Sequence, residues 1–447
     1  MRNYTICRHN FMYRRRKKKM KWSIYNYYVK SENTYILYNS LSKKIIKINN
    51  FNMDICNLPC DVSNKFKELG FLVDEGIDEK KLANMKYLDY IYNNELILIL
   101  FPTEDCNFRC TFCYEDFNGK YMNDEILNST LLFLRKNITK YSNLYVDWFG
   151  GEPLLAKKFI FKFSEAAIKI CQSAKIPYRA GITTNGYLLD KETMQKLLKY
   201  KITSYHITLC GDEKSHDAIR YLKNGQGTFQ IIIKNLLDIK QIKSKVFKIQ
   251  VRINVTKGML NKLGEFLKWL AEKFGEDERF SFYFRPVGDW GGNSVNSISS
   301  ELNVNHIELF YEIFRANAKL NYDIYYELLT NELCAAAKRN QYVIRANGDI
   351  NKCSEALYNN YNKVGVMDNL GNMVLNKSLL ANWFFTNSEN DSCKNCIDFE
   401  LCHNNKCPNN NFETDNKQEK YCGYEKTAIN EILKLLEQSE SKYIQQI

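Results

Sequence analysis

No run of apolar residues approaches the length of about eighteen that a membrane-spanning helix needs, so neither a membrane span nor a membrane partner is expected. A basic run, Arg14 to Lys19, lies near the beginning, but no apolar segment follows it. That excludes a secretory signal and points to the cytoplasm. Paired carboxylates, a Ser-His-Asp order and a phosphate-binding loop are absent as recognisable motifs, and Gly225-x-Gly227 reads only as a helix entry. Acidic residues are missing from positions 1–20, where eight Lys or Arg stand, so eight of the twelve net positive charges sit in one short tail. This tail reads as a disordered extension, with structured sequence opening at Met20. The nearly neutral remainder speaks against a nucleic-acid partner, which would need basic residues interleaved with aromatics on the folded part.

What the chain has in plenty is cysteine. Fifteen cysteines, an odd number, without a secretory signal suggest metal ligands rather than disulfides. Ten of them fall in two groups with ligand-like spacing, at 106–113 and 334–422. Cys7, Cys56, Cys60, Cys171 and Cys210 have no assigned partners and read as small apolar residues.

A length of 447 residues implies two or three domains. Residues 21–92 read as a small α+β module, with strands at Ile24–Val29, Thr34–Tyr38 and Lys44–Ile48 and a helix at Ser63–Leu69 ending on Gly70. From about residue 93 strand and helix alternate. Strands are predicted at Glu95–Phe101, Asn143–Phe149, Tyr178–Thr183, Ser204–Leu209, Phe247–Val255 and Phe280–Phe284. Helical period marks Leu155–Cys171, Phe229–Leu237 and Met259–Phe274 among the connections. Six strand–helix units in series favour a parallel α/β sheet with right-handed crossovers, open or closed into a partial barrel. The core domain is taken as 93–300. Beyond it, a helix-like stretch to Leu333 precedes a Cys- and Asn-rich region with little periodicity, which would depend on metal for its fold.

The first strand runs directly into Cys106-x3-Cys110-x2-Cys113, at the C-terminal strand end where α/β folds keep their chemistry. Three thiolates on a cubane leave one iron free to bind a small molecule. A structural zinc loop would want a fourth Cys or His nearby, and none is close in sequence.

The segment Cys106-Asn107-Phe108-Arg109-Cys110-Thr111-Phe112-Cys113-Tyr114 resembles the cluster motif of the radical S-adenosylmethionine (AdoMet) superfamily, and further loops match in order across about 200 residues. Gly150-Gly151-Glu152-Pro153 resembles the glycine-rich loop at the AdoMet amino group. Thr183-Thr184-Asn185-Gly186 is similar to the polar strand end near ribose and methionine. Thr208-Leu209-Cys210-Gly211 with His216-Asp217 and Arg220 resembles a Ser-Leu-Asp-Gly…His-Asp…Arg stretch, with Cys210 where that pattern has Asp. The resemblance implies a partial (β/α)6 barrel and a [4Fe-4S] cluster on Cys106, Cys110 and Cys113. It also implies AdoMet contacts from Phe112, Gly150, Gly151, Glu152, Thr184, Asn185, Thr208 and Arg220. His216 is expected to brace its loop rather than to catalyse.

Cys334-x13-Gly348-x4-Cys353, then Cys393, Cys396, Cys402 and Cys407, then Cys422 resembles the seven-cysteine SPASM extension, which carries two auxiliary iron–sulfur clusters. Four residues rather than three separate Cys402 from Cys407. By that resemblance Cys393, Cys396, Cys402 and Cys422 hold an outer cluster, and Cys334, Cys353 and Cys407 an inner one that is a protein ligand short. A zinc ribbon on Cys393, Cys396, Cys402 and Cys407 is the alternative that spacing permits.

The implied activity is reductive cleavage of AdoMet and abstraction of hydrogen from a substrate, fed by a low-potential donor such as flavodoxin or ferredoxin. The module at 21–92 resembles the winged-helix-like domain that binds leader segments in maturases of ribosomally made peptides. A substrate peptide, with the leader added to an exposed strand edge, is therefore expected. A short inner cluster would suit a substrate cysteine and a thioether cross-link. The nearest rival, an anaerobic sulfatase-maturating enzyme, usually starts close to the cluster motif and has an Asp directly after the second SPASM cysteine, where this chain has Ser354. A metal-binding, non-catalytic nucleic-acid-binding protein is the rival of another class.

Overall fold

The computed structural model describes residues 19–31, 34–49, 54–117, 119–289, 293–302, 304–322, 334–384, 407–412, 426–438 and 444–446. Residues 1–18, nearly all of the basic tail, and Cys393, Cys396, Cys402 and Cys422 lie outside the described residues. The first module comprises β1 (Met20–Trp22), β2 (Asn26–Ser31), β3 (Thr34–Asn39), β4 (Lys44–Asn49), α1 (Cys60–Glu68), β5 (Leu72–Asp74) and α2 (Glu79–Ile91). β2, β3 and β4 form an antiparallel meander. Its alternation serves two cores: Leu37, Ile46 and Ile48 pack on Phe66 and Phe71, while Tyr27, Ile36, Tyr38 and Ile45 face the other way. β5 returns to pair with β1, as in a wing.

The core alternates β6 (Glu95–Leu100), α3 (Asp124–Asn137), β7 (Asn143–Trp148), α4 (Lys157–Ala174), β8 (Tyr178–Thr184), α5 (Lys191–Lys199), β9 (Ile202–Leu209), α6 (Glu213–Ile219), α7 (Phe229–Lys240), β10 (Lys248–Val255), α8 (Lys257–Phe274) and β11 (Phe280–Pro286). All six strands are parallel and stand in sequence order, as the strand–helix series requires. Period two sets the two faces. On β7, Leu144, Val146 and Trp148 are buried among the helices, with Trp148 edge-on to Phe163. The alternate residues, Tyr145 and Asp147, face the concave side.

Two expectations need correction. The helix-like stretch to Leu333 is not one continuous helix: α9 spans His306–Ala316, and Asn317 takes a left-handed conformation that ends it. Residues 323–333 lie outside the described residues. The region after Cys334, read as having little periodicity and little apolar surface to bury, folds as β12 (Gln341–Ile344), β13 (Asp349–Asn351), β14 (Lys363–Met367), β15 (Met373–Leu375) and α10 (Lys377–Asn382). β12 lies parallel to β6, so these four strands extend the core sheet to ten, and Ile344, Ile350, Val364 and Trp383 share the main core. Strands of three to five residues are too short to show a period.

The first module also receives elements from far along the chain. α11 (Lys426–Gln438) and β16 (Ile444–Gln446) return to the first module. Ile429, Ile432, Leu433 and Leu436 of α11 pack with Phe310 of α9 against Tyr27, Tyr38 and Ile45. β16 pairs in parallel with β4.

Candidate active site

At the C-terminal ends of β6 to β10 one cavity of about 190 Å³ is lined by Cys106, Cys110 and Cys113 together with Phe112, Gly150, Gly151, Thr183, Thr184, Asn185, Thr208 and Arg220. The four loops that sequence reasoning singled out therefore meet at one place. The chain builds it from local bonds. Thr103 Oγ1 accepts the Asp105 N–H at 3.0 Å, and Asp105 Oδ1 accepts the Cys106 N–H at 2.8 Å. Lys223 Nζ closes on the same carboxylate at 2.8 Å. The cysteine loop then lies alongside the segment after α6, with Arg109 N–H donating to the Tyr221 carbonyl at 2.8 Å and Thr111 N–H to Ile219 at 3.0 Å. That pairing carries Arg220 to the three thiols.

Gly150 and Gly151 are required by space. Gly150 has φ +107°, and a Cβ on either residue would run into the backbone carbonyl of Thr103 or Asp105. Glu152, expected at the cofactor, is fully buried and otherwise engaged: it accepts from Thr184 Oγ1 at 2.7 Å, Asn185 N–H at 2.8 Å and Leu154 N–H at 3.0 Å. It ties the ends of β7 and β8 together and is not among the residues lining the cavity. Asn185 in turn donates to Asn107 Oδ1 at 2.8 Å.

His216 has no exposure, and its Nδ1 accepts the Cys210 N–H at 3.2 Å. The proton of the neutral ring is thereby assigned to Nε2, which donates to Thr228 Oγ1 at 3.1 Å, and Thr228 donates to the Arg220 carbonyl at 2.7 Å. Burial, with Arg220 adding, holds the imidazole well below its usual pKa. His216 is a brace for the arginine loop, as expected.

The donor set fits a cationic thiolate-binding group. Burial, then the charge of Cys110, pushes the Cys113 thiol up to about 12, and burial drives Cys106 and Cys110 upward too. Bare thiols here would stay protonated, whereas iron bound to them would favour the thiolate. Arg220, 6% exposed, lines the same cavity, and its Nε–H has no partner among the described residues. A buried, unsatisfied donor of that kind calls for an anionic ligand group. Among the described residues no three Cys, His, Asp or Glu side chains converge tightly enough for one metal ion.

Sequence reasoning missed one wall of the cavity. Arg252 and Asn254 of β10 and Glu355 from the loop after β13 line it, with Tyr114, Phe117, Phe149 and Val287. The signal was present in β10, where Gln250, Arg252 and Asn254 alternate with Val251, Ile253 and Val255. Glu355 could be found only from the fold. Its loop rests on the cysteine loop: Tyr114 Oη donates to the Ser354 carbonyl at 3.3 Å, and Asp116 N–H donates to Tyr358 Oη at 2.9 Å. Within the extension, burial is the main cause that raises the Cys334 and Cys353 thiols, with the charge of Cys407 adding at Cys334 and that of Cys334 adding at Cys353.

A parallel α/β sheet with its buried thiols, glycine turn and arginine gathered at the C-terminal strand ends defines a cofactor-dependent α/β enzyme. The comparison gives the family of the core: residues 100–270 match the Radical SAM superfamily model, so the chain carries a radical SAM domain. Members of that family use a [4Fe-4S] cluster and AdoMet. The chain is 23% identical over 238 residues to the Fe-coproporphyrin III synthase of Methanosarcina barkeri, covering 53% of this chain and 56% of that protein. It is 23% identical over 346 residues to a cysteine-type anaerobic sulfatase-maturating enzyme of Clostridium novyi, covering 70% and 89%. The fold matches the solved structure of anSMEcpe with bound AdoMet and the Cp18Cys peptide, with TM-score 0.55 and 20% identity over 77% of this chain and 97% of that one. The chain thus spans little more than half of the first relative and most of the other two. No helix among the described residues is long and apolar enough to cross a membrane.

Proposed function

We propose that this chain is a radical SAM peptide maturase, taking hydrogen from a ribosomally made peptide that is delivered by a leader segment. The observation that carries the reading is the single cavity shared by Cys106, Cys110, Cys113, the loops after β7 to β9, and a carboxylate from the C-terminal extension. Cys106, Cys110 and Cys113 would hold the cluster, with AdoMet over Gly150 and Gly151 and its carboxylate on Arg220. When bound, the cluster and AdoMet together supply a 5′-deoxyadenosyl radical able to take hydrogen from an unactivated carbon.

The chain's own residues do the rest. Phe112, Phe117 and Phe149 exclude water from the cavity, and Arg220 with Thr208 and Asn185 fixes the orientation of AdoMet. Arg252, Asn254 and Glu355 face the remaining space, where a peptide side chain would lie. Cys334, Cys353 and Cys407 would hold an inner auxiliary cluster open to a substrate cysteine, which favours a thioether product. Cys393, Cys396, Cys402 and Cys422 would hold the outer one, and a flavodoxin or ferredoxin would deliver electrons.

The relative of 23% identity over most of its length supports a second reading, formylglycine formation. Ser354 stands where those enzymes carry Asp, yet Glu355, one residue on, does line the cavity. Anaerobically reconstituted protein tests both. About twelve irons per chain with matching sulfide, and 5′-deoxyadenosine formed under a reductant, is the expected result. Replacing Cys106, Cys110 and Cys113 by Ala should abolish the deoxyadenosine. A Cys-containing peptide that loses its free thiol without gaining an aldehyde supports the thioether, and an aldehyde supports the second reading. One or two zincs, no sulfide and no deoxyadenosine would overturn both.

A further inference from the structure

Lys352 stands just past β13, immediately before Cys353, and none of it is exposed. Its Nζ donates to the carbonyls of Lys338 at 2.6 Å and Gln341 at 2.7 Å. The rings of Tyr342 and Phe384 stand beside it, with centroids 5.3 and 5.1 Å from the nitrogen. Carbonyls and rings soften the loss of water but carry no countercharge, and a buried ammonium without an anion is costly. Among the described residues no carboxylate pairs with Lys352, and the charge that sustains its ammonium against burial is that of Cys334. The loop that follows is tightly held. Asn362, itself without exposure, accepts the N–H groups of Lys352 at 3.0 Å and Cys353 at 2.8 Å, and donates to the carbonyls of Cys353 and Ala356, both at 2.8 Å. Cys353 Sγ in turn accepts from the N–H groups of Glu355 at 3.3 Å and Ala356 at 3.4 Å.

We propose that Lys352 is the fixed countercharge of an inner iron–sulfur cluster on Cys334, Cys353 and Cys407, and that it raises the reduction potential of that cluster. The inference rests on the auxiliary-cluster part of the proposed function. The donor set fits such a group: two backbone N–H groups aimed at Cys353 Sγ favour a thiolate, and a buried cation beside Cys334 favours an anionic ligand set. Reduction by one electron adds negative charge to a cluster. A fixed cation nearby therefore stabilises the reduced form, and N–H groups on the sulfurs act in the same sense. Water is kept from Lys352, so its field is screened little. Glu355 acts on Cys334 and Cys353 with the opposite sign. Neutralising either residue should then move the potential, and the two shifts should oppose each other. If Lys352 were only a clasp between the Lys338 and Gln341 carbonyls, its removal would cost stability and leave the potential where it is.

The test is a redox titration of the full-length, anaerobically reconstituted chain, followed by electron paramagnetic resonance without AdoMet or peptide. The component that disappears in Cys334→Ala marks the inner cluster. At the wild-type midpoint, the ratio of reduced to oxidised inner cluster should fall at least tenfold in Lys352→Met, equivalent to about 59 mV for a one-electron couple. Lys352→Arg, which keeps the charge, should stay within about threefold of wild type, and Glu355→Gln should raise the ratio. The components of the other clusters should not move. A Lys352→Met chain that loads its iron and keeps the wild-type ratio would overturn the inference. So would Lys352→Arg falling as far as Lys352→Met, since shape rather than charge would then govern. Should Lys352→Met fail to take up the inner iron, Lys352→Arg decides: normal loading and potential support the countercharge, and a shared failure assigns a clasp and overturns it. Iron content separates this from the parent reading. A Cys334→Ala chain that loses neither iron nor any component would sink the inner cluster itself, and the inference with it, before any potential is compared.

Discussion

The joint between the extension and the cysteine loop can be tested at Arg345 and Glu104. Arg345 sits at the end of β12 and Glu104 two residues before Cys106, and the two form a bidentate fork: Nε to Oε1 at 2.8 Å and Nη2 to Oε2 at 2.9 Å. A third donor, Nη1, reaches the Leu357 carbonyl at 3.0 Å. The side chains are only 10% and 3% exposed, so water does little to screen them. At an effective dielectric near 20 the attraction is about 4–5 kcal/mol, set against a desolvation cost of several kcal/mol for each ion. The intact pair therefore contributes little net stability. Its single removal is another matter. Arg345→Met would leave Glu104 buried without its cation, beside Glu115, whose carboxyl is already pushed up to about 8 by burial and then by Glu104. A loss of about 3–5 kcal/mol is expected for Arg345→Met and a similar loss for Glu104→Leu, which strands the Arg345 cation. The double variant Arg345→Met/Glu104→Leu should return to within about 1–2 kcal/mol of wild type. Urea unfolding of the cluster-free protein, run as a double-mutant cycle, reads these differences. Single variants within about 1 kcal/mol of wild type, or a double variant costing the sum of the two, would refute the reasoning.

Two further predictions concern the core. Gly151→Ala should lower stability by about 1–3 kcal/mol and weaken AdoMet binding in the reconstituted enzyme, because the new Cβ meets the Asp105 backbone beside Cys106. Unchanged urea midpoint and AdoMet affinity would contradict it. Asp147 lies on the concave face of β7, opposite Gly181 on β8, and burial pushes its carboxyl up to about 7 from an ordinary 3.8. Its folded pKa is raised, so the unfolded chain gives up its proton first. Stability should then fall as pH rises from about 4 to 7 and stay lower above that. The upper limit is on the order of 4 kcal/mol, reduced by whatever water the open lumen admits. Asp147→Asn should remove that slope, and a variant matching wild type at both pH 5 and pH 8 would refute the assignment.

Much of this was legible because two signals are local. Alternation of strand and helix determined the parallel sheet, and strand-end motifs marked the cavity, since in such a sheet every strand end lies on one side. What escaped depends on distant packing. Glu152 carries the right motif, yet its carboxylate is consumed by Thr184 and Asn185, which nothing in Gly-Gly-Glu-Pro announces. β12 is four residues long and becomes a strand because β6 offers an edge. Ile429, Leu433 and Leu436 look like any amphipathic helix face, and only the fold tells that they cover a sheet formed some four hundred residues earlier.

These contacts make the cysteine loop answerable to the extension. Leading into the loop, Glu104 is held by Arg345; just past Cys113, Tyr114 reaches Ser354; further on, the Asp116 N–H is accepted by Tyr358. The ties bracket the three thiols without lining the whole cavity, so disturbing one should shift thiol spacing more than it empties the site. Tyr358→Phe isolates the effect. It keeps the ring that lies 5.4 Å from the Arg345 guanidinium and deletes only the hydroxyl that accepts from Asp116. A neutral bond of this kind is worth about 0.5–1.5 kcal/mol, too little to unfold the protein. If the extension positions the loop, Tyr358→Phe will lower the yield of 5′-deoxyadenosine per cluster severalfold while leaving iron content and urea midpoint near wild type. If the extension merely stands beside the loop, yield and iron content will both be unchanged, and the dependence argued from these bonds is wrong.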